Sequence, residues 1–329
     1  MDAAALSQQI QDEVRKAVTQ STYSFSPSDR SIYSPENLDP VVKTIVPTAT
    51  PVRNALPRVS GMGEASSFNK LTSGLATVAG TGGTGTRVGF ADAGQPSQTT
   101  QTYEFVSYPY KNLGRDVEIG RQQIAANRGS NLEDVRAREE LIKTTEVLLG
   151  EEVMTLTGDA ALYSTEYSGF SKLITTNSGT AGLITASGVS SYAQTLFEKG
   201  SDLVSHLILN PRQNRALSDQ LEGSGSIQRV VIDNQGAATG GQHLANIVDG
   251  NTGNLIKVIT SRYSASWAFL LSVRSAAGQN WIEMEDLETL SIYDVPTANH
   301  SIQSRVFETT VLKVIGEPYQ YKIGGLATS

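Results

Sequence analysis

The chain has 329 residues, a net charge of −7, 18% charged residues and no cysteine. That length suffices for one large or two medium domains with their own cores. The missing cysteines exclude a disulfide framework, a thiolate metal site and a cysteine nucleophile, and the scattered basic residues argue against a dedicated nucleic-acid binder, which carries a basic stripe.

No basic n-region or apolar h-region marks the N-terminus, and no window is apolar over the length of a membrane span. Leu6, Ile10, Val14 and Val18 place a narrow apolar stripe on a short N-terminal helix, which needs a partner surface. Six of the eleven prolines then fall between Pro27 and Pro57. They remove backbone donors and favour extended conformations, so this stretch is expected to be an extended arm.

Ala65 to Leu71 reads as a short strand, and Thr99 to Tyr108, rich in threonine and aromatics, as another. Between them, Gly74 to Gly94 holds seven of the thirty glycines and only two charges, Arg87 and Asp92. Gly80-Thr81-Gly82-Gly83-Thr84-Gly85 matches the dinucleotide-binding spacing G-x-G-x-x-G. A phosphate cradle needs a helix starting at the last glycine, however, and Gly89, Gly94 and Pro96 break any helix there. The run is therefore expected to be the tip of a protruding hairpin. An isolated hairpin is marginal in water, so the arm should lie on another surface, most simply a second copy of the chain.

Arg115 to Ile119 predicts a strand, followed by the clearest helix of the chain. Ser130 with Glu133 forms a capping box, Leu132, Val135, Leu141, Ile142, Leu148, Leu149, Val153 and Leu156 form an apolar face, and Gly158 stands at the C′ position. Asp134 with Arg138 and Glu139 with Lys143 are expected i,i+4 pairs. At about 1.5 Å per residue this spine helix would be roughly 40 Å long.

Beyond it, a helix at Tyr192 to Glu198, a strand at Leu203 to Leu209, and a helix capped by Asn210 with Pro211 first and running to about Leu221 are predicted. Strands at Ile227 to Ile232, Leu255 to Thr260 and Trp267 to Val273 complete an α/β or α+β subdomain. Ile302 to Ile315 is a long strand and Tyr319 to Ile323 a short one.

The three histidines, His206, His243 and His300, are far apart and in no metal-ligand spacing. His206 reads as a structural histidine within its strand. Glu283, Glu285, Asp286 and Glu288 beside Trp281 have the residue types for a cation site or a glycosidase pair. At a strand-to-turn junction they are expected to be solvated. No residue is assigned a catalytic, cofactor or metal role.

Several short stretches, taken in order, resemble the tailed-bacteriophage major capsid protein family, with its Hong Kong 97-type fold. Thr50-Pro51-Val52-Arg53-Asn54-Ala55-Leu56-Pro57-Arg58 is similar to the family's entry into the hairpin, and Gly158-Asp159 with Ser168-Gly169-Phe170 to its link into the axial subdomain. Leu207 to Arg212 resembles its strand-to-helix junction, and Tyr319 to Leu326 its closing strand.

The resemblance implies an α+β subunit divided as 1–59, helix and arm; 60–114, the extended hairpin or E-loop; 115–165 with 290–329, the peripheral domain carrying a spine helix at 131–157; and 166–289, the axial domain. It implies self-assembly into hexamers and pentamers of an icosahedral shell, enclosing double-stranded DNA without sequence-specific contact. It also implies a portal and possible scaffolding or decoration proteins, a virion location after assembly in the host cytoplasm, no cofactor and no membrane. Gly80, Gly83, Gly85, Arg87 and Phe90 at the hairpin tip are candidate inter-subunit contacts. Lys70 and Asn299 are the candidates for the covalent cross-link that some members form. Since Met1 is present and only about twenty helical residues precede the arm, a separate scaffold or none is expected. The alternatives are another virion or lattice protein, such as a tail tube or surface layer, and a nucleotide-binding enzyme built on the glycine motif.

Overall fold

The computed structural model describes residues 49–73, 92, 94, 102–127, 134–201, 203–223, 244–297 and 300–327, all within one compact unit. The expected N-terminal helix, most of the proline-rich arm, the glycine-rich tip, Ser130, Glu133, the strand at Ile227 to Ile232, His243 and Asn299 lie outside the described residues.

A 3-10 turn at Arg53–Ala55 leads into β1 (Arg58–Ser60), and the hairpin strands β2 (Ala65–Ser73) and β3 (Thr102–Pro109) follow. Next come β4 (Lys111–Gly120), α1 (Arg121–Asn127), the spine helix α2 (Val135–Thr157) and α3 (Phe170–Leu173). Then β5 (Ser178–Thr180), α4 (Ala186–Glu198), β6 (His206–Leu209), α5 (Pro211–Gly223), β7 (Asn246–Val248), β8 (Leu255–Thr260) and β9 (Ala268–Leu271) are reached. The chain ends with β10 (Ile282–Val295), β11 (Ser301–Val314) and β12 (Tyr321–Gly324).

These strands make three sheets: a four-stranded one in the order β1-β10-β11-β4, a six-stranded one in the order β5-β12-β9-β6-β8-β7, and the two-stranded hairpin β2-β3. The fold is α+β, as expected. The spine packs across β4 and β11 of the first sheet. Leu156, Met284, Val306 and Leu312 are buried between them, together with Val52 from the arm. In the six-stranded sheet, Leu207–Leu209 of β6 and Ala268–Leu271 of β9 are apolar because both faces are covered, one by α4 and α5 and the other, through Ile208, Phe269 and Leu271, by the core of the four-stranded sheet. Val189, Ala193 and Leu196 of α4 and Leu217 of α5 meet Leu207, Leu209 and Leu270 there.

Several local expectations hold. Asn210 caps α5, its Oδ1 accepting from the Gln213 amide at 2.8 Å, with Pro211 at the first helical position. β4, β8 and β11 lie where the sequence places them, and the helix expected at Tyr192 to Glu198 starts earlier, at Ala186 behind a Thr185 cap.

The spine differs in its details. It begins at Val135, where Asp134 is the N-cap and accepts from the Arg136 amide at 2.9 Å. Its 23 residues give a length of roughly 34 Å at 1.5 Å per residue. Gly158 has φ −51° and ψ 144°, so it is not the left-handed C′ glycine expected. It is required for closeness instead, because a Cβ there would strike the carbonyl oxygens of Tyr167 and of Met154, the latter at 2.7 Å. Leu141, Ile142 and Val153 are exposed, contrary to the apolar face read from the sequence. Leu141 lies six residues before buried Val147, about 120° round the helix, and so misses the face that meets β4 and β11. The charge pairs also shift: Arg138 reaches Glu139 at 3.0 Å and Lys143 reaches Glu146 at 2.9 Å.

Two strands sort differently from the sequence boundaries. Position 290 falls inside β10, which is continuous through the four-stranded sheet, and β12 is an inner strand of the six-stranded sheet, between β5 and β9.

Candidate functional site: two carboxylate hubs beneath the arm and the hairpin

Between Val52 and Ser60 the chain is fixed to the body by charge as well as by burial. Leu56 and Val52 enter the core, and β1 adds in parallel to β10 with Arg58 opposite Met284. Glu152, on the inner face of the spine, accepts the amides of Val52 at 3.1 Å and Arg53 at 2.8 Å and the Ser261 hydroxyl at 3.1 Å. It thereby satisfies donors that the short 3-10 turn leaves open. Its neighbour Glu151 accepts from both Arg53 Nε and Arg58 Nη2. Arg58 Nη1 also reaches Asp286 of β10 and Glu308 of β11, each at 2.8 Å. Three carboxylates, Glu151, Asp286 and Glu308, all at most 7% exposed, thus meet two guanidiniums, with Glu152 on the backbone amides beside them.

The titration behaviour follows from that crowding. Burial alone would lower the Arg58 guanidinium, but Glu151, Asp286 and Glu308 outweigh it and hold it raised. Burial pushes the Glu152 carboxyl up against the pull of the Arg53 and Val52 amides and Ser261. Glu308 is likewise pushed up, by burial first and then by Glu151, with Arg58 and Arg53 opposing. The phenol of Tyr167, fully buried beside the hub, is raised by desolvation and by Glu151.

A second hub lies at the base of the hairpin. Glu285 and Asp286 are consecutive on β10 and so point to opposite faces. Glu285 accepts from Ser66 of β2, from Tyr110 Oη at 2.5 Å and from Lys313 Nζ at 3.1 Å. Lys313 also meets Glu283 at 3.2 Å and lies 5.6 Å from the centroid of the Phe68 ring. Burial works to raise Glu285, yet its three donors outweigh that and leave it lowered. Tyr110 is pushed up to about 12 by burial and by its bond to Glu285. The approach to the hairpin has two special glycines. Gly61 leaves room for the Tyr110 ring, and Gly63 turns the chain at φ +79°.

The hairpin itself pairs from Ala65 opposite Pro109 to Ser73 opposite Thr102, with an irregularity between Leu71 and Ser73. Eight residues of β3 extend roughly 27 Å at 3.4 Å each. Tyr103 and Phe105, on one face of β3, are 62% and 68% exposed, whereas Tyr108 on the other face packs against the core at the hairpin base.

Of the acidic cluster read as solvated, Glu288 is exposed as expected, but Glu283 and Glu285 are buried at 9% exposure and Asp286 at 7%. The cause is long-range: the arm root, the hairpin base and β11 bring Arg58, Ser66, Tyr110 and Lys313 onto those carboxylates. Among the described residues no group of three or more His, Asp or Glu side chains converges as a metal ion would require. Both hubs hold backbone segments in place.

Lys70 sits on β2 opposite Glu104, while its proposed partner Asn299, and the tip residues Gly80, Gly83, Gly85, Arg87 and Phe90, lie outside the described residues. His206 is a half-buried residue of β6, with Nδ1 2.8 Å from Ser205 Oγ. Burial and then Lys257 lower it to about 4. Sequence reasoning missed Arg53, Arg58, Glu151, Glu152, Tyr110, Glu308 and Lys313. One signal was available: Glu152 lies midway between Leu148 and Leu156 on an i+4 stripe, where a carboxylate must find buried partners.

A spine helix across a four-stranded sheet, a projecting hairpin and a separate six-stranded sheet define the Hong Kong 97-type capsid fold, and the solved structures agree. The chain is similar to the capsid of a native GTA particle (TM-score 0.61, 12% identity, 90% of this chain and 96% of that one). It is equally similar to the holo-SrpI encapsulin complex from Synechococcus elongatus PCC 7942 (TM-score 0.61, 10% identity, 90% and 93%). The capsid of the Myoviridae phage XM1 follows at TM-score 0.59, 10% identity, and 88% and 97% coverage. No family model and no curated protein sequence matches the chain.

Proposed function

We propose that this chain is the major capsid subunit of a tailed bacteriophage, self-assembling into hexamers and pentamers of an icosahedral shell around double-stranded DNA. The observation that carries this reading is the hairpin. Two strands held rigidly at their base by Glu285, with Tyr103 and Phe105 uncovered, gain cover from a neighbouring subunit, and rings of such contacts close a shell. In this reading the spine with the four-stranded sheet is the peripheral part and the six-stranded sheet the axial part. Gly80, Gly83, Gly85, Arg87 and Phe90 contact the adjacent subunit. The portal, any scaffolding or decoration protein, the DNA and the virion location belong to the same reading. Lys70 and Asn299 are its cross-link pair where one forms.

The likeness to the encapsulin complex supports a second reading, a protein shell that is not a virion. Expression of the full chain, followed by size-exclusion chromatography and negative-stain microscopy, tests both. Closed shells or capsomer rings are expected; tubes, flat lattices or a persistent monomer would overturn a closed-shell function. Shells produced alongside the phage's own portal, then challenged with DNA and the packaging motor, separate the two, since only a capsid fills. Deleting Gly80 to Gly89 is expected to leave the subunit folded and to impair shell assembly.

A further inference from the structure

The arm-root hub has more negative than positive charge, and the shortfall falls on one atom. Glu152 has three donors. Glu151 has both arginines, and Asp286 has Arg58 at 2.8 Å together with the Thr310 hydroxyl at 2.7 Å. Glu308 receives Arg58 on Oε1 alone, and its Oε2 is buried with no hydrogen-bond partner. The β10–β11 register skips there, from Glu288 opposite Thr309 to Ser291 opposite Phe307, so no paired β10 residue faces Glu308. On the other side, β4 presents Leu113. A buried ionised oxygen without a donor is among the costliest groups a fold can carry, and neutralisation is the cheaper state.

We propose that the hub holds one proton at neutral pH, carried by Glu308, and that the folded subunit loses stability as pH rises towards the loss of that proton. The charged and titratable groups facing Glu308 are Arg53 and Arg58 from the arm root, Glu151 from α2, Asp286 from β10 across the shared Arg58 nitrogen, and the phenol of Tyr167. The arginines favour the ionised form; burial and Glu151 oppose it and prevail. A folded-state value above the ordinary glutamate value means that this contribution is full at and below the ordinary value and is lost as pH rises through the folded one. Alkali therefore lowers the stability of the fold as a whole, while the arm arginines, which favour the ionised form, are attracted more strongly once the proton leaves. None of this depends on shell formation.

The test compares the full wild-type chain with Glu308→Gln, which keeps the shape and removes the titration. From the ordinary glutamate value up to the pH at which Glu308 ionises in the folded chain, the wild-type melting temperature should fall relative to the variant by about 2–4 °C per pH unit, and run parallel to it above. Infrared spectra of the wild type at pH 7 should show a protonated-carboxyl stretch that disappears on raising the pH and is absent from E308Q. Melting profiles parallel throughout, no such band in the wild type at pH 7, or an undiminished band in E308Q would each overturn the proposal. If E308Q does not fold, the wild-type band together with Glu308→Asp decides: a band whose frequency moves in E308D supports the assignment, and one that does not move overturns it.

Discussion

Arg58 and Glu151, 93 residues apart in sequence, form an ion pair in which the carboxylate is fully buried and the guanidinium is shared with Asp286 and Glu308. One side chain of a three-residue strand therefore holds three carboxylates from three separate elements. Replacing it with methionine would keep much of the volume and leave those carboxylates without their main counter-charge. Arg58→Met should destabilise the subunit by about 3 kcal/mol in urea unfolding. Loss of less than 1 kcal/mol would show the hub to be dispensable.

The hairpin base should respond to acid. Glu285 has a lowered folded-state value, so its contribution is present above the ordinary glutamate value and is lost as pH falls through the lower one. Amide protection factors in Ala65–Leu71 and Tyr103–Tyr108, taken relative to the intrinsic exchange rate at each pH, should fall below about pH 4. Tyr110→Phe should produce a similar loss of protection at neutral pH while costing about 1 kcal/mol in global stability.

Gly158 lies against two carbonyl oxygens, and its neighbour across the turn, Gly169, against the carbonyl of Met154. Gly158→Ala should cost about 1–3 kcal/mol from overpacking at the end of the spine. Gly150→Ala, where a Cβ meets nothing within 4 Å, should be neutral or stabilising by up to about 1 kcal/mol, the helix-propensity gain. Thermal unfolding of the two variants side by side checks the contrast.

Leu141 is 65% exposed on the spine, so Leu141→Ser should change monomer stability by no more than about 0.5 kcal/mol. Under the shell reading it should nonetheless reduce the yield of assembled particles, measured by sedimentation. Unchanged yield would remove this face of the spine from the contacts.

His206 supplies a separate acid-side effect. Its folded value of about 4 lies below the ordinary one of about 6.5, so stability should fall as pH drops from about 6.5 towards 4. His206→Gln should flatten that part of the profile, measured as urea midpoints at pH 7 and pH 5.

What could be read in advance was local. The Asn210–Pro211 start of α5 needs only three adjacent residues, and the spine declares itself over six turns of apolar spacing. What stayed hidden depended on distant partners. Ile282–Val295 was not recognised as a strand because Glu283, Glu285 and Asp286 look solvated until Arg58, 228 residues from Asp286, and Lys313 arrive. The spine's apolar residues likewise could not be divided into covered and uncovered ones, since that depends on where β4 and β11 cross it. The G-x-G-x-x-G match shows the opposite error, a local pattern whose setting gives it another meaning.

The position of β12 has a consequence for synthesis. This four-residue strand lies between β5 and β9, and β10 and β11 form the centre of the other sheet. The four-stranded sheet cannot close until Val314 has left the ribosome, and the six-stranded sheet not until Gly324 has, so the spine, the hairpin and α4 wait, partly uncovered, for partners made long after them. Folding dominated by such distant pairings is slow, and a nascent chain cannot present a finished surface before β12 has emerged.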